Sequence, residues 1–123
     1  MKSSMTPEQM RSAAAQHLVW NGYEVLEKDW GQEDIHMDFI ARDPENNDLA
    51  FIDLYLGDME KNVFPEPDLS RKTQMRFEKA MVAYVCQNDI PPCHIRFDCL
   101  TIYSCSAETA CVRHHVDALR KAA

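Results

Sequence analysis

A three-layer α/β domain is the fold class this sequence predicts, and three observations predict it. A capped helix opens the chain, three apolar strand-like runs follow it, and a long amphipathic helix then precedes one or two further strands. The length of 123 residues fits a single domain over 1–123 that buries one core without staples.

Each element has a local cause. Thr6-Pro7-Glu8-Gln9 is a capping box with proline at the first helical position, and the helix it opens is expected to reach Trp20. Its apolar stripe is read as Met10, Ala13, Ala14, Leu18 and Trp20, with His17 as a packed histidine at the core edge. Asn21-Gly22 tolerates the left-handed backbone that ends a helix. Residues 23–28 then alternate as a first strand, and a second is expected over 35–42. Asp43-Pro44 and Asn46-Asn47-Asp48 turn the chain into a third strand over 49–56, making a hairpin. Residues 57–70 read as a polar, proline-containing connection. A long helix is expected from 68 or 70 to 87, with Phe77, Ala80, Met81, Tyr84 and Val85 inward. "CHIRFDCLTIY" over 93–103 is a strong strand, and "CVRHHVDAL" over 111–119 begins as another.

Charge and composition narrow the function classes. A formal charge of −7 argues against a protein that coats nucleic acid nonspecifically, so any basic surface must be local. Arg71, Lys72, Arg76 and Lys79 fall on one arc of the long helix, either as a solvated face or as a strip for a nucleic-acid backbone. No run of about 18 apolar residues could span a bilayer, and "MKSSMTPEQM" has no apolar signal core, so the expected setting is cytoplasmic, with no membrane partner. The five cysteines are an odd number in such a chain and read as reduced thiols. With three glycines, no phosphate-cradling loop is available.

The chemistry turns on Asp53. It stands inside Leu49-Ala50-Phe51-Ile52-Asp53-Leu54-Tyr55-Leu56, a run apolar on both alternating faces and hence a strand covered on both sides. A buried carboxylate needs a compensating partner. The sequence leaves three partners open, and a basic residue of the 68–87 helix is one of them. Arg96, itself embedded in an apolar strand, is a structural partner for Asp53; alternatively, strand periodicity sets His36 and Asp38 on one face and Asp53 and Tyr55 on another, which converge across the hairpin on a divalent cation. A His36, Asp38 and Asp53 trio suits manganese or zinc better than magnesium, because imidazole is among its donors. Cys105, Cys111, His114 and His115 match no standard zinc module and read as strand thiols and fold-specific histidines.

The blocks "AAAQHLVWNGYEVLEKDW", "HMDFIARD", "LAFIDLY", "RK", "IRFDCL" and "HHVDAL" fall in the order and at the spacings of the YraN-like proteins. The chain resembles that bacterial group over about 14–119. The resemblance implies the restriction-endonuclease-like fold: a mixed sheet of about five strands between helices, in helix-strand-strand-strand-helix-strand order. It also implies a nuclease-type site of a helix-one glutamate, a Glu-x-Asp pair on strand two and a Glu-x-Lys pair on strand three. Carried over by position, Asp38 and Asp53 keep a carboxylate, whereas Arg11, His36 and Tyr55 stand at the other three positions. Tyr55 is a poor substitute for a lysine that activates water, and Arg11 adds positive charge where a cation would sit.

The expected function is therefore a noncatalytic module on a nuclease fold, binding nucleic acid or a protein partner and requiring no cofactor. The competing expectation is a divergent nuclease that uses a divalent cation, Mg or Mn, at His36, Asp38 and Asp53. A structural homodimer is the third.

Overall fold

The computed structural model describes residues 4–57 and 63–122. In chain order the elements are α1 (Pro7–Trp20), β1 (Glu24–Trp30), a 3-10 turn (Glu33–Ile35), β2 (Met37–Arg42), β3 (Leu49–Leu56), α2 (Arg71–Asn88), β4 (Ile95–Ser104), β5 (Ala110–His115) and a short α3 (Ala118–Ala122). The five strands form one mixed sheet in the order β1-β2-β3-β4-β5. All neighbours are antiparallel except β3 and β4, whose parallel pairing requires a crossover, and α2 supplies it. Helices cover both faces, giving the three-layer α-β-α arrangement that the element order predicts.

The capping box at the start of α1 forms as expected. The Thr6 hydroxyl accepts the Gln9 N–H at 3.1 Å while the Gln9 side chain accepts the Thr6 N–H at 2.8 Å. Met10, Ala14, Ala15 and Leu18 then lie on Phe39, Ala41, Ala50, Ile52, Leu100 and Ile102 of the sheet. Trp20 departs from the expected stripe and is 78% exposed. Two residues past Leu18 is about 200° around a helix, so Trp20 projects from the opposite side. Gly22, at φ 85, turns the chain into β1, and its missing Cβ leaves room for the Pro44 ring.

β1 runs on to Trp30 with a bulge between Val25 and Glu27, beyond the expected end at 28. β2 starts later than the expected residue 35. Ile35 belongs to the 3-10 turn and His36 is its extended C-cap, so His36 precedes the strand. β3 has its expected bounds and is buried from Leu49 to Asp53. Part of the expected 57–70 connection, 58–62, lies outside the described residues.

On the other face, α2 is capped by Ser70, whose hydroxyl accepts the Thr73 N–H. It brings Phe77, Ala80, Met81 and Tyr84 onto Ile40, Phe51, Phe97 and Cys99. Phe77 stands between Phe51 and Phe97, with ring centroids 5.8 and 5.5 Å away, a tilted packing that suits the ring quadrupoles.

Of the partners left open by the sequence, Arg96 is not the one Asp53 takes, which corrects that pairing; a basic residue of the long helix serves instead. The β3–β4 register sets Arg96 opposite Ala50 and Asp53 opposite Cys99. Arg96 therefore shares the α1-facing side with Leu100 and Ile102, while Asp53 faces α2. Arg96 is instead the centre of its own network. Its Nε and Nη2 donate to Asp98 at 3.0 and 3.1 Å, its Nη1 to Asp43 at 2.8 Å and Asp48 at 3.0 Å, and its Nη2 also to the Tyr23 hydroxyl at 2.8 Å. Asp98 also meets His114 Nε2 at 2.7 Å and accepts the Asp117 N–H at 2.9 Å. His114 is thus a structural residue, as is His115, whose Nε2 lies 3.1 Å from the Thr101 hydroxyl. No helix among the described residues is long and apolar enough to cross a membrane.

Candidate functional site

β2 and β3 are paired from Arg42 opposite Leu49 to Phe39 opposite Ile52. One residue further the main-chain ladder gives way to a side chain, and Asp38 Oδ2 accepts the Leu54 N–H at 2.7 Å. The other Asp38 oxygen accepts from Arg11 Nη1 of α1 at 3.2 Å. Burial pushes the Asp38 carboxyl above its ordinary value, more than the Leu54 amide lowers it, and the nearby Asp53 charge pushes it the same way.

Asp53 is answered from the opposite face. Arg76, in the second turn of α2, donates Nη1 to Asp53 Oδ1 at 3.0 Å and Nη2 to Asp53 Oδ2. This is the bidentate fork that suits a guanidinium to a carboxylate. Nη1 also donates to the His36 carbonyl at 2.8 Å, so Arg76 fixes the end of the 3-10 turn as well. The Asp53 hydrogen bonds raise the Arg76 pKa further, so the guanidinium is charged at any working pH.

Tyr55 lies beside this pair. Its hydroxyl is 3.4 Å from Asp53 Oδ2 and 3.3 Å from the Asp68 carbonyl. Burial raises its pKa far above the ordinary tyrosine value and the Asp53 charge adds to that, so the group is a neutral donor. It can hold Asp53 but cannot take a proton from water, the task of a base at that position.

His36, Asp38, Asp53, Tyr55, Lys72 and Arg76 line one cleft of about 330 Å³ together with Glu33 and Asp68. Every residue expected at the acidic site, and two of the four expected basic ones, are therefore brought together. A second cleft of about 360 Å³ lies across His36 and Asp38 and is bounded by Glu8, Arg11, Lys28 and Asp29. A broader groove of about 750 Å³ continues along α2 past Arg71, Lys72, Met75, Arg76 and Lys79.

The expected basic strip divides on folding. Arg71 and Lys72 are exposed at the first turn, Lys79 pairs with Asp34 at 3.1 Å, and Arg76 turns inward to Asp53. The signal for that turn was present in the sequence. Arg76 lies three residues after Thr73 and four before Ala80, both buried, and so on the inner side of the helix. Asp29 and Asp34, by contrast, carried no periodic signal. Asp29, at φ 51, meets His36 Nε2 at 2.5 Å, which holds the Asp29 carboxyl below its ordinary range.

A divalent cation needs carboxylate lone pairs open to it. Both oxygens of Asp53 are engaged by Arg76, those of Asp38 by Leu54 and Arg11, and the Nε2 of His36 by Asp29. Among the described residues no three His, Cys, Asp or Glu side chains are arranged to hold a metal ion. The donor set in this geometry does not fit the cation, because two guanidinium groups stand against the same carboxylates.

Comparison with known proteins bears on the same residues. The sequence pattern of "Uncharacterised protein family UPF0102" matches residues 11–102. A UPF0102 protein of Parafrankia sp. is 30% identical over 91 residues, covering 73% of this chain and 75% of its own. A UPF0102 protein of Trichlorobacter lovleyi is 25% identical over 89 residues, covering 72% of this chain and 69% of its own. The matched span runs from Arg11 to Ile102 and takes in Asp38 and Asp53 and the two arginines set against them.

Proposed function

Because the chain belongs to the UPF0102, or YraN, family and its cleft lies wholly inside the matched span, we propose that it is a noncatalytic nucleic-acid-binding module on a nuclease-type fold. The observation that carries this reading is the fork between Arg76 and Asp53. It gives the strand-three acid a permanent positive partner where a nuclease would need a cation and a base, and Tyr55 supplies no base. Binding then falls to the exposed cations at the cleft mouth, Arg71 and Lys72, with the groove along α2 as the path of a phosphate backbone.

The test is a salt titration of affinity for short single-stranded and duplex oligonucleotides. Backbone contacts predict a steep fall in affinity with salt, with a slope of about −0.9 per phosphate neutralised on a duplex. Arg71→Glu with Lys72→Glu should weaken binding to all sequences alike, since backbone contacts do not read bases. No binding at about 50 mM salt would move the reading to a protein partner, including a second copy of the chain. The competing reading, a metal-dependent nuclease using His36, Asp38 and Asp53, is favoured by their shared cleft and requires Arg76 to leave Asp53.

A further inference from the structure

The β4–β5 hairpin carries a pair of thiols that the cleft does not use. Cys111 on β5 lies directly opposite Tyr103 on β4. Cys105 is two residues beyond Tyr103, and its N–H donates to the Thr109 carbonyl at 2.9 Å, which extends the hairpin by one more rung. Strand periodicity then puts Tyr103, Cys105 and Cys111 on one side of the hairpin. The Cys105 and Cys111 sulfurs are 2.7 Å apart. A disulfide bond is about 2.0 Å long, so the rotamers already aim the sulfurs at each other and bonding needs only a small further approach.

We propose that Cys105 and Cys111 form a thiol–disulfide exchange site that takes low-molecular-weight disulfides, of which glutathione disulfide is the model. Both thiols are half-buried rather than enclosed, on the edge strand and the loop beside it, so a small disulfide can reach them. Cys111 is the attacking sulfur. The Cys105 thiol and then the Tyr103 hydroxyl hydrogen-bond to it and hold its pKa below the ordinary thiol value, which raises its thiolate fraction. Cys99 shows the opposite environment, where burial pushes the thiol up to about 12 and leaves it inert.

The exchange runs in two steps. The Cys111 thiolate attacks one sulfur of the disulfide, whose S–S bond breaks, and one glutathione leaves as thiolate while the other stays bonded to Cys111. The Cys105 thiolate then attacks the Cys111 sulfur, and the second glutathione leaves as thiolate. The two protein thiols have lost two electrons and two protons, and these reside on two glutathione thiols. The loop closed is short and lies within one hairpin, so the exchange needs no rearrangement of the sheet.

The experiment is intact-mass analysis and peptide mapping after equilibration of the whole chain with glutathione and glutathione disulfide in varied ratio. The native chain should lose two hydrogens and map a single disulfide between residues 105 and 111. Cys105→Ser should instead accumulate one glutathionyl adduct on Cys111, because no second thiol resolves it. A trivalent arylarsenical, which needs two adjacent thiols, should bind the reduced native chain and neither single serine variant. The arylarsenical arm on the native chain does not depend on how any variant folds. A native chain whose mass shows all five cysteines still as thiols in glutathione disulfide alone, that stops at a mixed disulfide, or that maps its bond elsewhere overturns the proposal.

Discussion

Arg76 on α2 closes on Asp53 of β3 with both terminal nitrogens of its guanidinium, and the Asp53 side chain is 8% exposed against 23% for Arg76. This inequality of burial decides which partner is more costly to lose. It also ties the crossover helix to the central strand at the point where β2 and β3 part, so fold and cleft share one interaction.

Arg76→Ala should destabilise the protein by about 3–5 kcal/mol, because it leaves a buried carboxylate without a partner. Asp53→Ala should cost less, about 1–2 kcal/mol, since Arg76 can turn toward water and keeps the His36 carbonyl. Replacing both at once, by Arg76→Met and Asp53→Leu, should recover most of the loss. Urea unfolding of the four proteins measures the order, and equal costs for the two alanine variants would contradict the burial argument.

The Arg96 network predicts a larger sensitivity. Arg96→Ala leaves Asp98, which is fully buried, and Asp43 and Asp48 around an empty centre, and should cost about 3–5 kcal/mol or abolish folding. Arg96→Lys should fold but remain less stable than the native chain, because an ammonium has three donors and the guanidinium here serves four partners. A lysine variant with native stability would show that the charge alone suffices.

Acid should weaken the fold in two stages. Burial lowers the pKa of His17 and of His115 below the ordinary 6.5, with His114 adding to it at His17 and Arg113 at His115. The unfolded chain therefore binds protons more readily, and the stabilisation present above 6.5 is lost as pH falls through the lower folded values. The second stage begins below 3.8. Burial alone would raise Asp98, but the hydrogen bonds from His114, Arg96 and the Asp117 N–H outweigh it; Asp43 is likewise lowered, with Glu45 N–H and Arg96 outweighing burial. Asp38, raised by burial, acts earlier and in the opposite sense, adding stability as pH falls from its raised folded value to 3.8 because its proton is favoured in the fold. Urea midpoints at about pH 7.5 and 5.5 test the first stage. The difference should shrink when His17 and His115 are both changed to Asn.

Purified protein should show no cleavage of DNA or RNA that depends on its own acids, with magnesium or with manganese. Asp38→Asn and Asp53→Asn are the necessary controls against copurifying nucleases. Robust cleavage by the native chain that vanishes in either variant would reverse the functional reading and imply that Arg76 yields its place to a cation.

The sequence by itself determined everything that depends on neighbours along the chain. The Thr6 capping box, the bounds of β3, the inner face of α2 and the order of the elements all follow from spacing and side-chain chemistry within a few residues. It also showed that Asp53 needs a cationic partner, because a carboxylate in a doubly covered strand needs one wherever the strand lies. Which cation serves was decided by the tertiary structure. Periodicity fixes the side of its own strand on which a residue stands, but not which side of the sheet that becomes or which helix covers it. Arg96 and Asp53 satisfy the same local pattern, and only the register of β4 on β3 turns them to opposite faces. The same pairing decided the acidic site, since Asp38 reaches Leu54 only because β2 and β3 stop pairing one residue earlier. A ladder ends where twist and side-chain packing across strands make it end, and those forces act between segments far apart in sequence.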